Sequence, residues 1–153
     1  MGNNWKITDT LTKVFADEVP DGQGSIRLST LHRETVSCVI AYFGAADWGR
    51  YWKVSVKAPE KIETRLRRVE LVPSAYPCHK EQDDNYLRIV PGMYPDLLRD
   101  LDTEGDGADK KYLTKEVPGQ WRSLWLDVTV DAELAGGDYA IAVSYTHLTL
   151  PTT

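Results

Sequence analysis

Asp102, Glu104 and Asp106, followed by Gly107, space their carboxylates as the opening of an EF-hand calcium loop does. The twelfth position of such a loop requires a bidentate Glu. Here it is Leu113, and flanking helical patterns are missing. The run reads as a solvated acidic loop, and no metal is expected. Asp83-Asp84 is an adjacent carboxylate pair, but acid/base work needs two groups facing each other across a reacting bond, whereas neighbours on an extended chain point to opposite sides. His32, His79 and His147 are scattered, with His32 in the turn region Leu31 to Glu34. Cys78-His79 is an isolated neighbour pair. The Gly44 to Gly49 run does not follow the dinucleotide fingerprint, and no Ser-His-Asp, HExxH or Gly-rich phosphate motif is present. No catalytic residue and no cofactor are assigned.

Aromatic side chains are the remaining signal. Trp121 and Trp125 share one face of an alternating run, while Tyr76, Tyr86 and Tyr94 recur with prolines through an irregular stretch. Exposed rings of this kind stack on the C–H faces of sugars or cover a partner surface. Three readings stand open: a domain–domain contact, direct sugar stacking, or burial of both strand faces, one by an opposed sheet and the other by the irregular stretch folding back.

Composition narrows the class. The chain has 153 residues, a net charge of −5, 42% apolar and 27% charged residues, as a one-domain globular protein does. Its pI near 5.2 disfavours nucleic acid as a partner. Arg65, Arg67 and Arg68 are the one basic cluster and read as a solvated sheet surface. The first fifteen residues hold no signal-peptide core and no segment spans a bilayer, so no membrane role and a cytoplasmic location are expected. Cys38 alternates with Val36, Ile40 and Tyr42 as a small buried side chain. Two cysteines do not make a disulfide framework.

Short strands separated by turn chemistry must position these residues. The pattern predicts strands over Leu11–Phe15, Ser25–Leu31, Glu34–Phe43, Tyr51–Lys57, Glu63–Val72 (with a bulge) and Trp121–Val130. In Trp121–Val130, Leu124, Leu126, Val128 and Val130 face one way and Trp121, Ser123, Trp125 and Asp127 the other. Gly136-Gly137-Asp138 predicts a reversal with positive-φ residues before a strand resumes at Tyr139. Pro73 to Glu116 predicts a long irregular insert, with a helical turn near Pro95 to Leu101 and a polar mobile run from Asp102 to Lys111. The expected fold is all-β, an antiparallel two-sheet β-sandwich with a long irregular insert.

Two stretches carry a family resemblance. Asp84 to Leu98, with Pro91-Gly92-Met93-Tyr94-Pro95-Asp96-Leu97-Leu98, and Val117-Pro118-Gly119-Gln120-Trp121-Arg122-Ser123-Leu124-Trp125 occur in the order found in the N-terminal β-sandwich domain of glycoside hydrolase family 123-like proteins, including members with a DUF4091 domain. Lys13-Val14-Phe15, the Glu34 to Tyr42 strand and Arg68 to Pro73 agree further, so the likeness covers about residues 10 to 143. It implies a non-catalytic accessory domain that packs on a (β/α)-barrel carrying the catalytic carboxylates, in a parent directed at N-acetylgalactosaminides. The implied partner is that barrel, and this chain alone is expected to be inactive. Tyr86, Tyr94, Pro95, Asp96, Trp121 and Trp125 are the expected interdomain or sugar contacts. The alternative is a stand-alone carbohydrate-binding sandwich. Ser144 to Thr153 resembles the translated read-through of a sequencing adapter, as in environmental reading frames. Residues 1–143 are therefore expected to form a truncated sandwich domain and 144–153 a non-native tail that adds little stability.

Overall fold

The computed structural model describes residues 4–45 and 50–148. Strands dominate it: β1 (Trp5–Thr8), β2 (Thr35–Phe43), β3 (Tyr51–Lys57), β4 (Ile62–Ser74), β5 (Gly92–Asp100), β6 (Asp102–Glu104), β7 (Lys111–Lys115), β8 (Trp121–Val130) and β9 (Ala142–Leu148). They form two antiparallel sheets, one five-stranded in the order β1-β2-β8-β4-β5 and one four-stranded in the order β6-β7-β3-β9. The all-β, two-sheet architecture is the one the alternation implied.

β2, β3 and β8 follow their period-two patterns. Pairing of β8 with β2 sets Leu124 against Ile40 and Leu126 against Cys38, and pairing with β4 sets Leu126 against Leu66. These side chains lie in one buried cluster with Trp5, Tyr42, Trp52, Val54, Tyr112 and Val128. Burying such a face is the main driving force for the sandwich. The bulge falls between Glu70 and Leu71, where β5 supplies Asp96 as an extra residue between the partners Leu97 and Pro95.

Other expectations are corrected. Leu11–Phe15 is not an edge strand; Trp5–Thr8 takes that place. Asp9 Oδ1 accepts from the backbone N–H of Leu11 (2.9 Å) and Thr12 (3.0 Å), turning the chain out of extended geometry. Ser25–Leu31 forms no strand, because residues 24–30 pair with no other described backbone. The insert is shorter than expected. Pro95–Leu101 is not a helical turn but largely β5, since the extended chain gains the edge of β4 as partner. Within Asp102–Lys111, Asp102–Glu104 pairs with β7 and Gly107–Asp109 makes a 3-10 turn. Gly136 and Gly137 are not among the positive-φ glycines, and the chain after them pairs with β3 from Ala142 onward.

Turn chemistry is explicit before β8. Gln120 N–H donates to Val117 C=O (3.1 Å) with Pro118 and Gly119 in the centre and Gly119 at φ +72°, a type II turn. That turn packs on Gly44, where a Cβ would lie 2.0 Å from the Val117 carbonyl oxygen.

The interior has two halves. Under β3 and β7, Trp5 stacks on Tyr42 (5.2 Å) and on Tyr145 of β9 (4.2 Å), and Trp52 packs edge-on to Trp5 (4.9 Å). At the other end, Val36, Cys38, Val128 and Val130 face the irregular segments 24–30 and 134–139 across a cleft of about 810 Å³.

Candidate interaction surface

β8 turns Trp121, Ser123, Trp125 and Asp127 to the outer side of the five-stranded sheet, opposite the leucines. The turn at Asp9 swings Val14 back onto this face, and Trp121 N–H donates to Ala16 C=O (2.9 Å). Val14, Val39, Ala41 and Trp121 form a second apolar cluster, with Phe43 and Trp125 at its margin. Trp121 is thus buried, its ring tilted against Phe43 at 5.5 Å. Both faces of the strand are covered here. The cover on the outer side is the segment before residue 17, not the Pro73–Glu116 stretch.

Trp125 is half-buried, and its indole N–H donates to Asp127 Oδ1 (2.8 Å). The same oxygen accepts from Ser37 (2.5 Å), and Oδ2 accepts from Arg67 (2.6 Å). Burial pushes the Asp127 carboxyl up, but the Ser37, Trp125 and Arg67 donors and the Arg67 charge outweigh it and hold the group below the usual carboxylate range. Arg65 pairs with Asp100 (2.8 Å). The two guanidiniums that share this face are therefore each matched by a carboxylate.

The loop 75–91 is pinned at one point. Arg88 lies 3.7 Å from the Phe15 ring centre and donates to Asp17 (2.9 Å) and Glu18 (3.0 Å). The hydrogen bond from Arg88 holds Asp17 below its ordinary value. Tyr94 packs edge-on to Phe15 (5.7 Å), and its hydroxyl donates to Val90 C=O (2.5 Å), closing the loop on itself. Pro95 is buried and Asp96, at the bulge, is exposed. Tyr86 is 50% exposed, and no hydrogen bond or ring contact among the described residues holds it.

Around the anchor the loop displays apolar side chains. Tyr76 is 70% and Leu87 72% exposed, and Ile89, Val90, Met93 and Leu97 are each about half exposed or close to it. The sequence-predicted contacts therefore separate. Trp121 and Trp125 sit on the covered face, Tyr94 anchors the loop, Pro95 is buried in β5 opposite Leu71, and Tyr86 and Asp96 are open to solvent.

Sequence reading missed Glu116. It is 1% exposed, with Oε2 accepting from Trp52 Nε1 (2.8 Å), while Tyr42 and Thr114 share a hydrogen bond (3.0 Å) nearby in the interior. The available signal was the inward alternation Tyr112, Thr114, Glu116. Among the described residues no group of His, Cys, Asp or Glu is arranged to hold a metal ion, and no helix is long and apolar enough to cross a membrane.

No family model matches the sequence, and no curated protein matches it.

Proposed function

We propose that this chain is a non-catalytic accessory β-sandwich of a glycoside hydrolase of the family 123-like kind, which docks a catalytic barrel through the loop 75–91 and the start of β5. The observation that carries this reading is the concentration of exposed apolar side chains between Tyr76 and Leu97 on a loop fixed by Arg88. A preformed apolar surface loses little conformational freedom when covered, so it favours docking of a neighbouring domain. The resemblance of Asp84–Leu98 and Val117–Trp125 names the neighbour as a barrel directed at N-acetylgalactosaminides. The docking residues are Tyr86, Leu87 and Met93, with Tyr94 and Pro95 as supports.

Sequencing the gene past codon 143 tests the reading. A barrel-coding frame directly downstream supports it; a stop or an unrelated frame overturns it. Turnover of an aryl N-acetylgalactosaminide by this chain alone would overturn the non-catalytic assignment. The carbohydrate-binding alternative requires glycan capture by the isolated sandwich that Tyr86→Ala abolishes.

A further inference from the structure

The two faces of β4 differ in how their charges balance. On the outer face Arg65 and Arg67 each meet a carboxylate, Asp100 and Asp127. Register sets the inner face. Arg68 pairs with Leu124 of β8 and with Arg99 of β5, and Tyr42 of β2 pairs with Arg122 of β8. Leu124 and Tyr42 belong to the buried cluster, so Arg68, Glu70, Arg99 and Arg122 lie on that same side, at the margin of the core.

Three guanidiniums on this side share one carboxylate. Glu70 Oε1 accepts from Arg68 Nε (2.7 Å) and Arg68 Nη2, and Arg99 Nε lies 3.8 Å from the same oxygen. Arg122 has no carboxylate partner among the described residues. Its Nη2 donates to Gln120 Oε1 (2.9 Å), and its Nε is buried without an acceptor. Burial holds the Arg122 guanidinium below the ordinary arginine value and the Arg68 charge adds to this, which Tyr42 and Glu70 do not offset. Three positive charges against one negative leave an excess of two, in a chain whose net charge is −5. Taking a cation out of water is costly unless an anion meets it.

We propose that this ledge is an oxyanion site for a dianionic phosphate group, held by the N–H groups of Arg68, Arg99 and Arg122 that Glu70 and Gln120 leave unused. The excess of two charges matches a phosphate dianion better than a carboxylate, and a guanidinium fork meets phosphate oxygens two at a time. Arg99, with its side chain 62% exposed, opens the ledge to solvent. Arg122 supplies the part-buried contact, where a charge acts through less water. Bound there, the anion is the counter-charge that Glu70, already engaged by Arg68, does not provide. Free phosphate and a phosphate monoester carry the same group. The site shares no residue with the docking set Tyr86, Leu87 and Met93 and does not rest on it.

The test titrates the full chain with inorganic phosphate and, separately, with phenyl phosphate, at about pH 7.5, where both are largely dianionic, and at constant ionic strength. Binding is read from phosphorus NMR line broadening. Saturable binding is expected, and Arg122→Gln and Arg122→Lys should each weaken it at least about ten-fold, the second because an ammonium lacks the fork. Arg99→Gln, at an exposed position, should weaken it about three-fold and decides the matter if the Arg122 variants do not fold. Glu70→Gln removes the competing carboxylate and should tighten it about three-fold. Arg65→Gln makes the same charge change on the outer face and should leave it unaltered. Tighter binding of phenyl phosphate assigns the group to a monoester, and tighter binding of inorganic phosphate to the free ion. Four results would overturn the proposal: no saturable binding of either probe; acetate displacing phosphate at equal concentration; Arg65→Gln weakening binding as much as Arg99→Gln; or Glu70→Gln failing to tighten it.

Discussion

The two halves of the interior differ in how completely they are roofed. Beneath β3 and β7, Trp5, Tyr42, Trp52 and Tyr112 interlock against a regular sheet, and polar atoms are drawn in with them, as in the Trp52–Glu116 bond. Beneath residues 24–30 and 134–139, aliphatic side chains of the same β2 and β8 meet irregular chain and leave a cleft. Identical strands thus serve a tight and a loose environment along their length. Sheet continuity, more than side-chain hydrophobicity, decides which one results.

Trp52→Ala should separate the halves most clearly. It removes a large buried ring and the donor to Glu116, and about 3–5 kcal/mol of stability should go. Val128→Ala, beside the cleft, should cost about 1 kcal/mol, where little packing is lost. Equal shifts in thermal melts would break the comparison. At the closed end, Gly44→Ala drives a methyl into the Val117 carbonyl and should cost about 1–3 kcal/mol, read from urea midpoints; an unchanged midpoint would mean the Pro118-Gly119 turn shifts freely.

Added volume sharpens the contrast. Val54→Ile in the closed half should cost about 1 kcal/mol by overpacking, whereas Val128→Ile should be neutral or slightly stabilising. The smallest effect lies outside both halves. Asp127 has a folded-state value below that of an unfolded Asp, so its contribution is complete above about pH 4 and is lost as pH falls through the folded value. Asp127→Asn should flatten that acid limb in melts taken from pH 6 downward; an unaltered limb would remove the Ser37–Trp125–Arg67 group from the account.

Period two made β2, β3 and β8 legible, because each buries one face over seven or more residues. The same signal misled at Ser25–Leu31, since alternation states which side is apolar but not whether a neighbouring edge exists. β5 was hidden for the opposite reason. Its bulge breaks the alternation, and Pro95-Asp96 imitates a helix start. For the surface, the exposed Tyr86 and the motif around Tyr94 were readable. The burial of Trp121 was not, because it depends on a turn at Asp9 more than a hundred residues away in sequence.

The contact between Gly44 and the Pro118-Gly119 turn ties two distant stretches of sequence to one another. A side chain at the first position is excluded by backbone, so any relative that keeps this junction must keep a glycine there whenever the downstream Pro-Gly pair is present. That coupling gives a two-point search signature for distant kin, usable where overall similarity has faded.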